Sequence, residues 1–171
     1  SSSIQNFVDL TTAQTVAGAK TFSSDLTVNG ITVGKGGGAV ATNTAIGDSA
    51  LYSNTTGDAN TATGFNALGN NTTGYWNTAN GFEALVSNTT GDYNTGIGSQ
   101  ALYSNTTGNR NTANGYQALD YNTTGDYNTG IGGEALASNT TGNRNTANGT
   151  AALFSNTTGD YNTGIGYAAL F

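Results

Sequence analysis

The 171-residue chain contains no cysteine, no histidine, no proline and no methionine. The absence of cysteine excludes disulfides, thiol nucleophiles and thiolate metal sites, and the absence of histidine removes the commonest general base and metal ligand. Only four residues are basic and the net charge is -6, which argues against nucleic-acid binding. No membrane span is visible in the sequence. Together these absences predict a protein that is not an enzyme and needs no metal or other cofactor.

Large apolar residues are also scarce, since Leu, Ile, Val and Phe together number 28. So low an apolar content usually indicates disorder when the net charge is high, but here the charge is modest and the sequence is strictly repetitive. A thin stacked core explains both features, because stacking joins the few apolar groups of each unit into one continuous core. We expect such a weak core to gain stability from oligomerisation.

A 17-residue unit occupies the chain from residue 43 onward and occurs eight times without insertion or deletion. We number its positions from 1 to 17, beginning at the Asn of an Asn-Thr pair; the fifth position is always Gly. The copies begin at Asn43, Asn60, Asn77, Asn94, Asn111, Asn128, Asn145 and Asn162. A fixed short period indicates a solenoid, and the density of Gly, Asn, Thr and Ser disfavours helix. We therefore predict an all-β fold, a repetitive β-solenoid or β-roll with 17-residue coils, each of two short strands and two turns, spaced about 4.8 Å apart.

Stacking in register would place equal positions of successive coils in columns. Position 9 is always leucine, and we predict a buried core column of Leu51, Leu68, Leu85, Leu102, Leu119, Leu136, Leu153 and Leu170 beside an unbroken Ala column at position 8. The Asn-Thr-Thr-Gly stretch at positions 12–15 predicts a turn. The Asn columns are predicted to form amide ladders along the stack.

A second period of 34 residues is superimposed on the first. Tyr and Arg alternate at position 17, and Asp and Asn alternate at position 16 just before them. This pattern avoids like charges in adjacent coils and predicts that each Arg lies between two Tyr rings. The column consists of Tyr93, Arg110, Tyr127, Arg144 and Tyr161. It is our candidate surface, either as a platform on which saccharides stack or as a cap on the coil edge or the seam between subunits, and both alternatives remain open.

Residues 1–42 differ from the rest and are predicted to form a separate β-rich fibre segment or connector, with residues 43–171 forming the solenoid, whose last repeat is incomplete. Leu26–Val33 predicts two strands around Asn29-Gly30, a strong hairpin signal. Residues 34–38 are predicted to be a flexible joint or a tight crossing. The lack of a starting methionine and the incomplete last repeat suggest a segment of a longer chain.

Several residue patterns suit other functions, but simpler explanations account for each. Asp92, Asp126 and Asp160 recur every 34 residues and so form a distributed row rather than a catalytic pair. Asp and Asn oxygens suit calcium, but the alternating Arg would oppose a cation. The Asn-Thr-Thr copies match the N-glycosylation pattern, although repeated turn chemistry also explains them. The Thr column at position 2 is also a feature of ice-binding surfaces. Such a surface would need a Thr-x-Thr pair in each coil, and only Thr61–Thr63 supplies one.

Two stretches carry a resemblance to known families. The stretch from Asp92 to Ala101, Asp-Tyr-Asn-Thr-Gly-Ile-Gly-Ser-Gln-Ala, resembles the repeat of trimeric autotransporter adhesin heads. The fuller unit from Asn111 to Gly125 is similar to repeats of tail-fibre proteins that carry a C-terminal intramolecular chaperone, and residues 11–34 resemble phage tail-fibre segments. The resemblance implies a parallel homotrimeric fibre and an extracellular location, on a virion tail fibre or a cell surface.

We therefore expect a structural fibre shaft with an adhesive role, a segment of a tail fibre of a phage or phage-like injection machine that presents or contributes to host-receptor binding. The expected partners are further copies of the same chain and a cell-surface saccharide or protein receptor. The head of a bacterial trimeric surface adhesin is the alternative. A third class, an ice-binding solenoid, would show thermal hysteresis.

Overall fold

The computed structural model describes residues 24–28 and 31–171 and shows an all-β solenoid. Ten strands form one sheet in chain order. Two precede the repeats, and the other eight occupy positions 2–4 of successive repeats. The strands are β1 Leu26–Val28, β2 Ile31–Gly34, β3 Thr44–Ile46, β4 Thr61–Thr63, β5 Thr78–Asn80, β6 Thr95–Ile97, β7 Thr112–Asn114, β8 Thr129–Ile131, β9 Thr146–Asn148 and β10 Thr163–Ile165. A short 3-10 turn spans Gly37–Ala39.

The strands of the repeats stack in parallel and in register. Thr95 pairs with Thr112, and Thr112 pairs with Thr129, so that each step along the sheet is 17 residues. The same register holds from β3 to β10. The predicted β-solenoid with 17-residue coils is therefore confirmed.

The core of each coil consists of small residues and one leucine. Positions 3 and 8 supply Ala or Gly and position 9 supplies Leu, and Leu51 to Leu136 in this column are fully buried. Leu153 is 4% exposed, which confirms the predicted core column over seven coils. The prediction is wrong for Leu170, which lies in the last coil described and is 65% exposed because its side chain is covered from one side only.

A ladder of side-chain amides at position 12 runs along the stack, as predicted. Asn105 Nδ2 donates to Asn88 Oδ1 of the preceding coil at 2.8 Å and to the Gly108 carbonyl of its own turn at 3.0 Å. These Asn residues belong to the Asn-Thr-Thr sequences, and all but the last are buried. Their side-chain nitrogens are committed to the ladder, so turn and ladder chemistry accounts for the repeated motif.

A second ladder, at position 1, closes each coil. Asn111 Nδ2 donates across the coil to the Gly125 carbonyl at 2.7 Å, and Asn111 Oδ1 accepts from the Asn128 backbone N–H at 2.9 Å. Within the described part of the chain, no fully buried side-chain nitrogen or oxygen lacks a hydrogen-bond partner. The two amide columns can therefore be buried without the large penalty of unpaired polar groups.

Each coil contains one regular strand, so the prediction of two strands per coil is wrong. Positions 7, 9 and 17 adopt left-handed backbone conformations, as at Gln117, Leu119 and Tyr127, whose φ angles are 52°, 54° and 59°. Such angles interrupt extended structure. The remainder of the coil is a series of turns that still bond from coil to coil, as from Leu119 N–H to the Ala135 carbonyl at 2.9 Å.

The N-terminal strands continue the sheet. β1 and β2 pair antiparallel with Val28 opposite Ile31, which confirms the two strands predicted around Asn29-Gly30. β2 then pairs antiparallel with β3. The segment after β2 crosses the first coil closely, because a Cβ added at Gly36 would lie 2.5 Å from the Leu51 Cβ. This tight crossing covers the first leucine of the core column. The Thr-rich stretch 11–22 lies outside the described residues.

Position 3 lies inside the coil. The small residues here, such as Gly96 and Ala113, therefore face the core and do not lie at a seam between chains. Ala113 is fully buried, and a Cβ added at Gly96 would lie 3.3 Å from Leu85 Cγ. The side chains that point outward from the strand are those at positions 2 and 4, including Ile97.

Candidate functional site

The turn before each strand holds the position 17 side chains in line along the outer surface. These residues have left-handed φ angles, and their backbone N–H donates to the position 16 carbonyl of the preceding coil. Arg110 N–H donates to the Asp92 carbonyl at 2.9 Å, and Tyr127 N–H donates to the Asn109 carbonyl at 2.9 Å. Because this bond recurs every 17 residues, the side chains stand above one another.

Arginines and tyrosines alternate in this line, as predicted. The Arg110 guanidinium carbon lies 5.0 Å from the centroid of the Tyr93 ring and 5.3 Å from that of Tyr127. Arg144 lies 5.3 Å from both Tyr127 and Tyr161. Each arginine also donates to the tyrosine that follows it, from Arg110 Nη1 to the Tyr127 hydroxyl at 2.7 Å. Each cation–π contact is worth about 0.5–1 kcal/mol at an exposed site.

The line extends further than sequence reasoning placed it. Trp76 occupies position 17 of an earlier coil, and its ring centroid lies 4.6 Å from that of Tyr93. Tyr75 packs edge-on against both rings. The sequence contains the signal that would have placed Trp76 in this line, because Trp76 precedes Tyr93 by one 17-residue step. We call the full line the ring column; it consists of Trp76, Tyr93, Arg110, Tyr127, Arg144 and Tyr161.

Hydrogen bonds at position 16 explain why Asp and Asn alternate there, so that this part of the pattern repeats every 34 residues and not every 17. Asn109 donates its backbone N–H to Asp126 Oδ1 at 2.6 Å and its side-chain Nδ2 to the same oxygen at 3.2 Å. Its own Oδ1 accepts from the Asp92 backbone N–H at 2.9 Å. An Asn between two Asp residues can therefore donate to one and accept from the other, whereas adjacent carboxylates would repel. At the end of this row, the hydrogen bond to Asp92 raises the pKa of Tyr75.

The ring column presents edges rather than faces to solvent. Both faces of Tyr127 lie against guanidinium groups, and Tyr93 lies between Trp76 and Arg110. Between the two ends of the column, a saccharide would therefore meet ring edges, hydroxyls and guanidinium N–H groups; the end residues Trp76 and Tyr161 are 52% and 70% exposed. The column has clear structural contacts along its length, and its binding role stays a prediction.

Asp120 is an acidic residue at a nearly buried position. It occupies position 10, where Val86 and Ala137 of other coils are also buried, and it is 7% exposed. Burial disfavours the charged carboxylate and raises the pKa of Asp120 to about 6. Sequence reasoning missed this residue, because position 10 varies from Gly to Phe and gives no periodic signal.

We expect Asp120→Val to raise the free energy of unfolding at pH 7 by up to about 3 kcal/mol. The folded-state pKa of Asp120 is raised, so its penalty is absent below about pH 4, grows as the pH rises towards 6 and is complete above it. Urea unfolding at pH 4 and pH 7 measures the difference. An advantage of the variant that is equal at both pH values would contradict the burial of a charged carboxylate.

The carboxylates do not form a metal cluster in the described residues: no three His, Cys, Asp or Glu side chains there are grouped to hold an ion. Asp92, Asp126 and Asp160 remain two coils apart in the position 16 row. No helix in the described part is long and apolar enough to cross a membrane.

Searches against family models, curated proteins and solved structures find no match to this chain.

Proposed function

We propose that the chain is a structural segment of an extracellular homotrimeric fibre with an adhesive role, and not an enzyme. The observation that supports this is the uniform stack of eight parallel strands, in which the same two amide ladders close successive coils. A solenoid of this kind is a rod that repeats similar surfaces along its length. Catalysis needs reactive groups gathered at one place, whereas the acidic side chains of position 16 are spread along the rod.

The rod belongs to a tail fibre of a phage or phage-like injection machine and presents, or contributes to, the contact with a host receptor. The repeat stretches 92–101 and 111–125, which resemble those of fibre and adhesin proteins, support this assignment. The partners are further copies of the chain and a cell-surface saccharide or protein. The same resemblance supports the head of a bacterial surface adhesin as a second candidate.

The thinness of the core supports the proposed trimer. One leucine and two small residues per coil make up the continuous apolar core, while Ile97, Ile131 and several aromatic side chains remain exposed on one chain. Covering them against other copies would remove further apolar surface from water, at about 25 cal/mol per Å².

We expect native mass spectrometry of the chain, fused to an inert monomeric tag, to give the mass of three copies at micromolar concentration. The labelled trimer should bind whole bacterial cells of a susceptible strain, since the proposed receptor is on the cell surface. Flow cytometry on a panel of strains measures this, with the labelled tag alone as the control.

A folded monomer would contradict the trimer and would revive the ice-binding class, which a thermal hysteresis measurement on the same sample then tests. A stable trimer that binds no strain of a broad panel would leave a shaft without an adhesive role. These two results separate the assembly from the adhesion.

A further inference from the structure

One outer surface of the solenoid has no charged residue over seven coils. We call it the strand face and define it by the side chains at positions 2, 4 and 6 from Thr61 to Tyr167. Positions 2 and 4 point outward, as shown by exposed Thr112 and Asn114 on either side of buried Ala113. Position 6 lies just beyond the strand, after the positive-φ glycine of position 5, and its Cα is at most about 7 Å from that of position 4.

The charges of the repeats lie at other positions. Asp occurs at position 16 and once at position 10, Arg at position 17 and Glu at position 7. Position 6 carries a charge only in the first coil, at Asp48, and positions 2, 4 and 6 of coils two to eight carry only uncharged residues. The chain has a net charge of -6, so copies of it repel one another on average. They can come into contact at the lowest electrostatic cost where the facing surfaces carry no charge.

The strand face also exposes large apolar side chains. Phe65 and Phe82 stack on one another with their ring centroids 5.5 Å apart, and both rings remain nearly half exposed. The other bulky side chains of the face are Ile97, Tyr116, Ile131, Ile165 and Tyr167. Six steps of about 4.8 Å along the stack, and at most about 13 Å from position 2 to position 6, give a face of roughly 29 by 13 Å. An exposed patch of a few hundred Å² is typical of an interaction site.

The bulk on this face alternates between two columns. In coils two to six, one of positions 4 and 6 is bulky and the other is short: Thr63 with Phe65, Asn80 with Phe82, Ile97 with Ser99, Asn114 with Tyr116, and Ile131 with Gly133. If position 4 of one copy faces position 6 of the next copy at the same level, a large residue meets a small one in each of these five coils, whereas coil eight would bring Ile165 against Tyr167. This match requires parallel copies in register around an axis along the rod, which is a closed cyclic arrangement.

We propose that the strand face is the seam between copies of this chain, with position 4 of one copy packed against position 6 of its neighbour. The seam rests on the proposed homotrimer and specifies which surface forms it. The ring column, at position 17, is not part of this seam.

Charges placed on the strand face test the seam. In the double variant Ile97→Asp/Ile131→Asp, each coil should still fold, because position 4 already holds the polar residues Asn114 and Asn148 in other coils. The buried like charges should raise the concentration at which the complex half-dissociates by roughly 100-fold or more. The matched control, Thr107→Asp with Thr141→Asp, adds the same charge at exposed position 14 and should change it little. Analytical ultracentrifugation measures both, and circular dichroism checks that both variants fold.

Engineered disulfides give a second readout that does not depend on weakened assembly. The chain has no cysteine, so Ile131→Cys and Gly133→Cys can be refolded together and oxidised. The mixture should form disulfide-linked pairs that contain one chain of each variant, because a disulfide needs Cα atoms within about 7 Å. A mixture of Gly133→Cys with Thr141→Cys should form few such pairs.

The outcomes separate the seam from the trimer. An assembly that survives both Asp substitutions, or one that dissociates only with the Thr variants, overturns the seam and leaves the trimer standing. Efficient cross-linking through Thr141→Cys but not through Ile131→Cys also overturns the seam. A wild-type chain that is monomeric by ultracentrifugation overturns both proposals.

Discussion

Gly132→Ala will lower the free energy of unfolding by about 3 kcal/mol or more, whereas Gly133→Ala, one residue further on, will change it by less than about 1 kcal/mol. Gly132 is at position 5 with φ 120°, a backbone conformation that a side chain rarely adopts, and an added Cβ would lie 2.7 Å from the Gly149 carbonyl carbon of the next coil. These two coils would have to move apart, which weakens the stacking between them.

Gly133 is the matched control because the chemical change is the same. The nearest heavy atom to its added Cβ is the Tyr116 carbonyl oxygen at 3.9 Å, an ordinary contact. Ser99 and Thr150 occupy the same column in other coils and show that a Cβ fits there. Urea unfolding of the two variants measures the difference. Equal stability would mean that the coils are not stacked at the spacing described.

Asn71→Asp will destabilise the fold by about 3–5 kcal/mol at pH 7, whereas Asn70→Asp will be close to neutral. Asn71 is fully buried; its Nδ2 donates to Asn54 Oδ1 and to the Gly74 carbonyl, both at 3.0 Å. A carboxylate can make neither bond and would place a charge against two oxygens in the interior. The neighbouring Asn70 is exposed, so the same change there leaves the added charge in water.

The pH dependence of this pair provides a further check. Burial should raise the folded-state pKa of the new carboxyl in Asn71→Asp, so the destabilisation should be smallest below the ordinary Asp pKa of about 4 and should grow as the pH rises. Thermal melts from pH 4 to pH 8 measure it. Equal losses of stability in Asn70→Asp and Asn71→Asp at every pH would mean that the buried amide ladder does not stabilise the interior of the coils.

The sequence alone determined the stacking period, the core column and the order of the ring column. These features follow from a strict 17-residue repeat, because coils of equal length stacked in register turn a position in the repeat into a column in space. Leu51 to Leu153, the amide ladders and the position of each Arg between Tyr rings could all be predicted in this way. Trp76 could have been added to the ring column from the same spacing.

Only the tertiary structure decided which way each column points. Position 3 faces inward and position 4 outward, and the sequence left both assignments open because Gly, Ala, Ile and Asn alternate there. The second strand that we predicted is absent because residues such as Leu119 and Gln117 adopt left-handed φ angles, which their side chains do not favour and which stacking on neighbouring coils imposes. The burial of Asp120 and the exposure of Leu170 likewise depend on which neighbouring coils cover each side chain, and no local sequence preference contains that information.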